Sequence, residues 1–352
     1  MLHRYILLNY IKVFVLTLTV LFGILYAYTV SEVLFIFKKQ TTEVFVNYTL
    51  NFLSTAFFYT SAFISGISLL TVYRSLTRKK IDLLTQSFGI SPLKFSFSIL
   101  LFSFFISLLN LLGSYEFFSN SHKELYKIER EYRKAKEIES GVVRNLWLKE
   151  ETSGEVRFYN FGIVETSSGN IYKFYLLKVK AGSISEVITA ESGLWQGSSI
   201  RLSEAKISNL FTGEESIKEL TIEYLPITQI KPLSEKPEHL SLKHVLTMSI
   251  VGERAGINQR LYIYETLKRV FTAFLPLFTG IILSWVYIRW RQFNLSAFAL
   301  LSVFASHWLF LNLIRSLLEN TDINLLLASL IYTPIPALAL KGLYDLGKGF
   351  RV

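Results

Sequence analysis

The sequence has no cysteine and few prolines or charged residues for its length. Among 352 residues there are no Cys, 7 Pro and 2 Met, and the charged residues make up 18%. Without cysteine the chain has no disulfide, no thiolate nucleophile and no thiolate metal site, so a water-facing domain must be stabilised by its own apolar core.

Hydrophobic residues are abundant instead. They make up 51% of the chain, Phe alone contributes 29 residues, and the mean hydropathy is +0.37. A soluble globule of this composition would expose a large apolar surface to water. We therefore expect the lipid bilayer to be the solvent for much of the chain.

Six apolar stretches are long enough, or nearly so, to cross the hydrocarbon layer as helices, which takes roughly 20 residues. They are 13–37, 44–73, 95–115, 270–288, 293–314 and 323–340. The first is too long for the core of a signal peptide, so we expect it to remain as a helix.

Basic residues concentrate in every second loop, and this pattern predicts the orientation. They are Arg4, Lys12, Arg74, Arg78, Lys79, Lys80, Arg289, Arg291, Lys341, Lys348 and Arg351. Because such residues are retained in the cytoplasm, we expect both termini to be cytoplasmic. Three helices then precede an extracytoplasmic insert and three follow it.

The insert alternates apolar and polar residues from Val142 onward. Turn signals containing Gly154, Gly169, Gly182, Gly197 and Gly213 separate the alternating runs. This spacing predicts an all-β sandwich or jelly roll. The predicted domains are thus 1–117, with a cytoplasmic helix at about 75–88, the β insert at 118–268, and 269–352.

The net charge of +10 does not indicate a nucleic-acid binder. Residues 121–240 contain 17 Lys and Arg against 18 Asp and Glu. The positive excess therefore lies at the ends of the apolar segments, where it is typical of a membrane protein rather than of one basic face.

No pattern of catalytic or metal-binding residues emerges. The 5 His residues and the three Asp residues, at 82, 322 and 345, are scattered along the chain. Gly342, Gly347 and Lys348 superficially match a phosphate-binding loop, but Gly349 stands where the magnesium-binding Ser or Thr would be. We expect no enzyme activity and no cofactor bound by this chain.

The loop between the second and third apolar stretches predicts a short amphipathic helix. Ile81, Leu84 and Phe88 fall on one face, Gly89 is placed to end the helix, and Ser91-Pro92 is typical of a helix start. The helix could lie on the membrane surface, or it could insert its apolar face into a groove of a cytoplasmic partner. The pattern alone favours neither.

Several polar residues lie at membrane depth. Glu32 stands near the outer end of the first apolar stretch, followed by Lys38 and Lys39. The lysines could be ordinary interfacial anchors, or they could line a polar site together with the acid. The pair Glu265 and Arg269 is interpreted as structural, and His307 as an interhelical hydrogen bond.

Taken in order, these features resemble the lipopolysaccharide export permease family LptF/LptG. The residues that carry the resemblance are QSFGIS at 86–91, ITAESGLWQGSSIRLSEAKI at 188–207 and YETLKR at 264–269. The resemblance covers essentially the whole chain, including the three-plus-three helices around a β insert. The paired lysines are more similar to the LptG branch.

The resemblance implies an ATP-binding-cassette exporter in the bacterial inner membrane. A second homologous permease and a dimer of a cytoplasmic ATPase, which uses ATP and Mg, would be its partners. Lipopolysaccharide would leave the membrane and pass through the periplasmic jelly roll to a jelly-roll bridge protein.

Residue roles follow from the same resemblance. Lys38 and Lys39, with Glu32, match the position that meets the lipid's phosphates. The coupling residues would be Arg78, Ile81, Asp82, Leu84, Phe88 and Gly89. The family's usual coupling Glu is replaced here by Ile81, and Asp82 stands next to it as a candidate substitute.

Two other classes stay open from the sequence. One is a membrane subunit that transmits the strokes of an ATPase to periplasmic partners without transporting anything. The other is a membrane-anchored sensor or adhesin, in which the β domain is a binding module and no ATPase partner exists.

Overall fold

The computed structural model describes residues 2–36, 42–133, 142–152, 154–166, 168–180, 182–223, 235–252, 257–321 and 323–348. The chain divides into a helical unit, 1–135 with 264–352, and a β unit, 136–263. The compact β unit is narrower than the predicted insert of 118–268, because the residues at both ends of that insert contact the helices.

In the described part of the chain, five α-helices precede the strands and five follow them. They are α1 (Leu2–Ile36), α2 (Thr42–Arg78), α3 (Ile81–Ser87), α4 (Pro92–Tyr115), α5 (Phe117–Arg133), α6 (Leu242–Val251), α7 (Arg260–Trp290), α8 (Phe293–Asn320), α9 (Leu325–Leu330) and α10 (Pro334–Lys348). By length and composition, α1, α2, α4, α7 and α8 could each cross a membrane.

Helix α7 is the most enclosed of these five helices, and α1 is the most exposed. Within the apolar window of each helix, 78% of the residues of α7 are buried, against 11% in α1 and 28% in α8. An apolar helix that exposes this much of its surface is stable only in lipid or against another chain. Helices α1 and α8 therefore present the faces through which lipid or a partner meets this unit.

Helices α4 and α7 pack closely around a proline. Pro276 has no N–H for the carbonyl four residues earlier, and the next residue, Leu277, donates its backbone N–H to Ser107 Oγ at 3.0 Å. A Cβ atom on Gly280 would lie only 2.7 Å from Ser103 Oγ. Small residues thus allow the helices to approach closely, and a neighbouring side chain satisfies the backbone at the proline.

The sixth apolar stretch is not one continuous helix. Residues 323–340 were predicted to form a single span, but α9 ends at Leu330 and α10 begins at Pro334. Proline cannot donate a backbone hydrogen bond, and it disfavours helical geometry in the residue before it. Among the described residues, the sixth crossing is therefore a broken pair of helices.

His307 connects this break to the rest of the helical unit. Its Nδ1 lies 2.6 Å from Tyr332 Oη, in the turn between α9 and α10, and its Nε2 lies 3.2 Å from Thr272 Oγ1 on α7. The ring of Tyr332 also stacks on Phe271 at 3.8 Å between centroids. The predicted interhelical hydrogen bond of His307 is confirmed, and it joins three helical segments.

The β unit contains all six predicted strands. They are β1 (Val142–Thr152), β2 (Glu155–Glu165), β3 (Asn170–Lys180), β4 (Ser183–Gln196), β5 (Ser199–Asn209) and β6 (Glu215–Ile222). Each strand pairs antiparallel with the next one in the chain. The alternation of apolar and polar residues therefore predicted the strands.

The order of the described strands differs from that of a jelly roll. Their sheet is an up-and-down meander, whereas a jelly roll needs long crossovers between strands that are not consecutive. The physical reason is the connections: each described connection between strands is a short turn, which can join only neighbouring antiparallel strands.

One face of the sheet forms an apolar core. It includes the buried rings of Tyr159, Phe161, Phe174 and Trp195, and Phe161 lies opposite Phe174 on the next strand. Val245 and Met248 of α6 belong to the same cluster, so α6 packs against this face. The core explains how a domain without disulfides stays folded.

Gly169 has two constraints in the turn between β2 and β3. Its φ of +78° is left-handed, and a Cβ atom there would lie 2.6 Å from the carbonyl oxygen of Trp195. Gly182, in the turn between β3 and β4, has a similar φ of +80° but open space around it. An alanine would therefore be strained in its backbone at both positions, but would clash with a neighbour only at Gly169.

We predict that Gly169→Ala destabilises the β unit more than Gly182→Ala does. A left-handed alanine costs about 1 kcal/mol at either position, and only Gly169→Ala also displaces the backbone at Trp195. Hydrogen–deuterium exchange of peptides from β3 and β4 in the full-length protein measures the difference. Equal acceleration of exchange in both variants would contradict the steric argument.

Candidate functional site

The short helix predicted between the second and third spans is α3. Its end is a left-handed glycine cap: Gly89 has a φ of +71°, and Ile90 N donates to Thr85 O at 3.0 Å across it. Ser91 then caps α4 by accepting a hydrogen bond from Lys94 N at 3.3 Å, with Pro92 as the first helical residue. The predicted stop and start signals are confirmed.

The apolar side chains of α3 and its cap face outward. Phe88 is 80% exposed and Leu84 is 56% exposed, whereas Ile81 is half-buried. Leu83, which the sequence pattern did not select, is also exposed. An exposed apolar patch of this kind on a short, capped helix is a surface for a partner or for lipid.

The polar residues of α3 face inward. Asp82 is only 9% exposed and Thr85 only 6%. The carboxylate Oδ2 of Asp82 lies 3.7 Å from Nε of Arg291, in the turn between α7 and α8. Within the described part of the chain, its other oxygen, Oδ1, has no hydrogen-bond partner. Asp82 thus points away from the apolar surface formed by Leu84 and Phe88.

The remaining predicted coupling residue, Arg78, is the last residue of α2 and is exposed. The next residue, Lys79, donates from Nζ to Tyr5 Oη of α1 at 3.2 Å. The basic end of α2 therefore lies beside both α1 and α3.

The predicted substrate-binding residues lie largely outside the described residues. Lys38 and Lys39 follow the described end of α1 in the sequence and are not among the described residues. Glu32 belongs to α1, but its side chain is outside what the structure describes. Their roles stay predictions.

A buried cluster of charges does appear on α7. Glu265 accepts from Arg269 Nε at 2.9 Å, and its other oxygen lies 2.7 Å from Lys268 Nζ. Arg269 also donates to Ser119 Oγ of α5 at 2.7 Å. From the sequence, the pair Glu265 and Arg269 was predicted to be structural. Lys268 was not predicted to join it, although the i,i+3 spacing of Glu265 and Lys268 is a signal for such a contact. The cluster fastens α7 to α5.

The β unit contains a groove of about 710 Å³ with a mixed lining. Its apolar residues are Leu176, Ile188, Ile207, Leu220 and Ile222. Its charged residues are Arg157, Lys178, Lys218, Glu186, Glu214, Glu215 and Glu223. Such a lining suits an amphipathic ligand, with chains on the apolar part and a charged head at the rim.

Ion pairs order the charged residues of this groove. Lys178 Nζ lies 3.1 Å from Glu186, and Arg157 Nε lies 2.7 Å from Glu155. The hydrogen bond from Arg157 holds the pKa of Glu155 below its ordinary value, so Glu155 stays charged at neutral pH.

The C-terminal glycines that resemble a phosphate-binding loop lie inside α10. Gly342 is a helical residue packed against Trp285, where an added Cβ atom would lie 3.1 Å from Cβ of Trp285 and 3.3 Å from the first ring atom, Cγ. A continuous helix does not present the looped backbone amides that hold a nucleotide. Among the described residues, no group of three His, Cys, Asp or Glu is placed to hold a metal ion.

Comparison with known proteins gives two findings. The model of the family described as "Lipopolysaccharide export system permease LptF/LptG" matches residues 4–341. An uncharacterized protein of Aquifex aeolicus (strain VF5) is 30% identical over 356 residues, covering 100% of both chains.

The family match spans the helices on both sides of the insert and the insert itself. With the apolar helices, it makes the chain a multi-pass inner-membrane protein with a role in lipopolysaccharide export, as one subunit of a transport complex. The chain belongs to the LptF/LptG family of lipopolysaccharide export system permeases.

Proposed function

We propose that this chain is the permease subunit of an ATP-binding-cassette exporter that extracts lipopolysaccharide from the inner membrane and passes it to a periplasmic bridge. A separate cytoplasmic ATPase dimer hydrolyses ATP with Mg, and a second homologous permease completes the membrane part. Both termini are cytoplasmic, and the β unit is periplasmic.

The observation that carries the proposal is that α3 exposes its apolar residues and buries its polar ones. Leu84 and Phe88 face outward, while Asp82 and Thr85 are buried beneath the helix. Helices are often recognised by inserting their apolar side chains into a partner's groove. Burying an exposed side chain such as Phe88 in this way contributes about 1.5–3 kcal/mol to binding. The same apolar side could also lie on the membrane surface, so the test must distinguish a partner's groove from the membrane.

The lipid path begins, in this proposal, at the exposed faces of α1 and α8. Side chains such as Val20 and Ile24 of α1 and Phe298 of α8 are exposed in the isolated chain. A lipid with several acyl chains needs such an apolar wall, and its anionic head needs cations at the headgroup level. Lys38 and Lys39, with Glu32 as a neighbouring acid, follow in the sequence where that head is expected.

The path ends in the β unit. Its groove offers apolar side chains such as Leu176 and Ile188 beside charged ones such as Arg157 and Lys178. This combination supports a role in which the groove receives the acyl chains after they leave the bilayer. The open ends of the meander, β1 and β6, are the edges that would meet a bridge protein.

We predict that Phe88→Asp releases the ATPase from the complex. A carboxylate in an apolar groove loses its hydration without gaining a partner, so we expect at least about a tenfold loss of bound ATPase. Co-purification of the ATPase with the tagged full-length chain measures it, and Phe88→Leu, which stays apolar, is the matched control. Undiminished ATPase with Phe88→Asp would favour the membrane surface as the contact of α3.

We also predict that the double variant Lys38→Glu and Lys39→Glu weakens lipid loading. Each basic residue near an anionic headgroup contributes about 1 kcal/mol, so reversing both should reduce loading at least about tenfold. Photocrosslinking of lipopolysaccharide through a reactive residue at the exposed position Tyr28 measures loading. The variant with arginine at both positions keeps the charge and should load normally; equal crosslinking in the Glu variant would refute the role of the lysines.

A further inference from the structure

We propose that Asp82 and Arg291 form a strut that fixes α3 to the turn between α7 and α8, so that a push on α3 moves the second group of helices as well as the first. The inference rests on the proposed function, because it needs a partner that pushes α3. Both are positioning residues: they act through the helices they join.

The position of α3 in the chain shows what a strut adds to the contacts that α2 and α4 make with α7. It is connected covalently only to α2 and α4, which both precede the β unit. A force on α3 reaches the helices after the β unit only through side-chain contacts. The pair of Asp82 Oδ2 and Arg291 Nε, 3.7 Å apart, is such a contact, between residues that are far apart in sequence.

Arg291 is well placed to pass on a displacement. It follows the last residue of α7, Trp290, and stands two positions before the first residue of α8, Phe293. Its backbone N–H donates to Tyr287 O at 2.7 Å, so the arginine is fastened to the end of α7. The most enclosed of the long helices is thus connected directly to the residue that Asp82 contacts.

The backbone is strained at both ends of the strut. Arg291 has a φ of +53°, and Lys80, two residues before Asp82, has a φ of +56°. Left-handed conformations cost roughly 1–2 kcal/mol in residues with a Cβ atom and persist where surrounding contacts over-determine them. Both residues lie just after the end of a helix, where left-handed geometry is common, so the ion pair joins two turns that end helices.

The distance between Asp82 and Arg291 is longer than that of a fully formed ion pair. Charge-assisted N–H···O bonds are usually about 2.7–2.9 Å long, so a pair at 3.7 Å is incompletely closed. Asp82 Oδ1 has no hydrogen-bond partner among the described residues, and it lines a cavity of about 10 Å³ with Thr85 and Tyr287. The distance between the two charged groups is therefore one that a small shift of α3 would change.

If the inner side of α3 served only for packing, an apolar contact would be expected there instead of an ion pair. The inner side of a short surface helix normally buries residues such as Leu83 and Leu84, but here they are exposed and a carboxylate is buried instead. An ion pair with one partly exposed member contributes little to stability, so stability alone does not account for this arrangement. A directional, adjustable link between two groups of helices does.

The test uses the full chain in its complex with the co-purifying ATPase, in nanodiscs that contain lipopolysaccharide. Three quantities are measured for Asp82→Asn and Arg291→Gln: bound ATPase, the ATP hydrolysis rate, and lipid released per ATP hydrolysed. We expect bound ATPase to stay within about twofold of wild type and lipid released per ATP to fall about fivefold to tenfold.

The double variant provides the diagnostic result. If the two residues act as one link, Asp82→Asn combined with Arg291→Gln should be no worse than either single variant. The charge-swapped pair, Asp82→Lys with Arg291→Glu, should recover most of the lost coupling, and Arg291→Lys should retain part of it.

Three outcomes would overturn the strut. One is unchanged lipid release per ATP in Arg291→Gln, a variant of a partly exposed residue that is expected to fold. Another is additive losses in the double variant. The third is loss of bound ATPase in Asp82→Asn but not in Arg291→Gln, which would mean that Asp82 contacts the ATPase directly. Failure of the wild-type chain to bind any ATPase would instead reject the proposed function.

Discussion

The helical unit depends on one constraint: inside an apolar layer there is no water to satisfy a polar group, so the chain must supply every partner itself. Helix α7 shows how this is met. Its proline at 276 is compensated by Ser107 of α4, and its Thr272 reaches His307 of α8. Tyr73 Oη of α2 lies within hydrogen-bond distance of Ser284 Oγ of α7, at 3.0 Å, and of Ser96 Oγ of α4, at 2.8 Å. These contacts hold α7 among its neighbours and leave α1 and α8 with apolar faces turned outward.

At α3 the distribution of polar and apolar residues is the reverse of that on a water-exposed helix. Leu84 and Phe88 face outward from the capped helix, and the carboxylate of Asp82 faces the interior beside Arg291. On a helix exposed to water the same residues would be arranged the other way round. The reversal is understandable if the outer surface of α3 is covered in the assembled complex and its inner surface connects the two groups of helices. One seven-residue helix then has both a docking face and a linking face.

The β unit follows a different logic, since it must fold in water without disulfides. Its strands alternate strictly enough that one face collects the rings of Phe161, Phe174 and Trp195. Tight turns, some of which only glycine can make without strain, join consecutive strands into a meander. The groove beside this core combines aliphatic side chains with ordered ion pairs, which is a surface suited to a ligand that is part lipid and part polar.

The sequence by itself determined the local features: the apolar spans, the six strands, the turns at glycine, the end of α3 and the start of α4. These depend on residues close together in the chain, through hydrophobic periodicity and backbone preference. The tertiary structure decided what the pattern left open: that the sixth span is broken at 331–333, that the described strands form a meander, and that Asp82 faces inward. The partners of Asp82 and Tyr332 are Arg291 and His307, which lie far away in sequence. No local pattern encodes such pairs, because they exist only once the helices have packed.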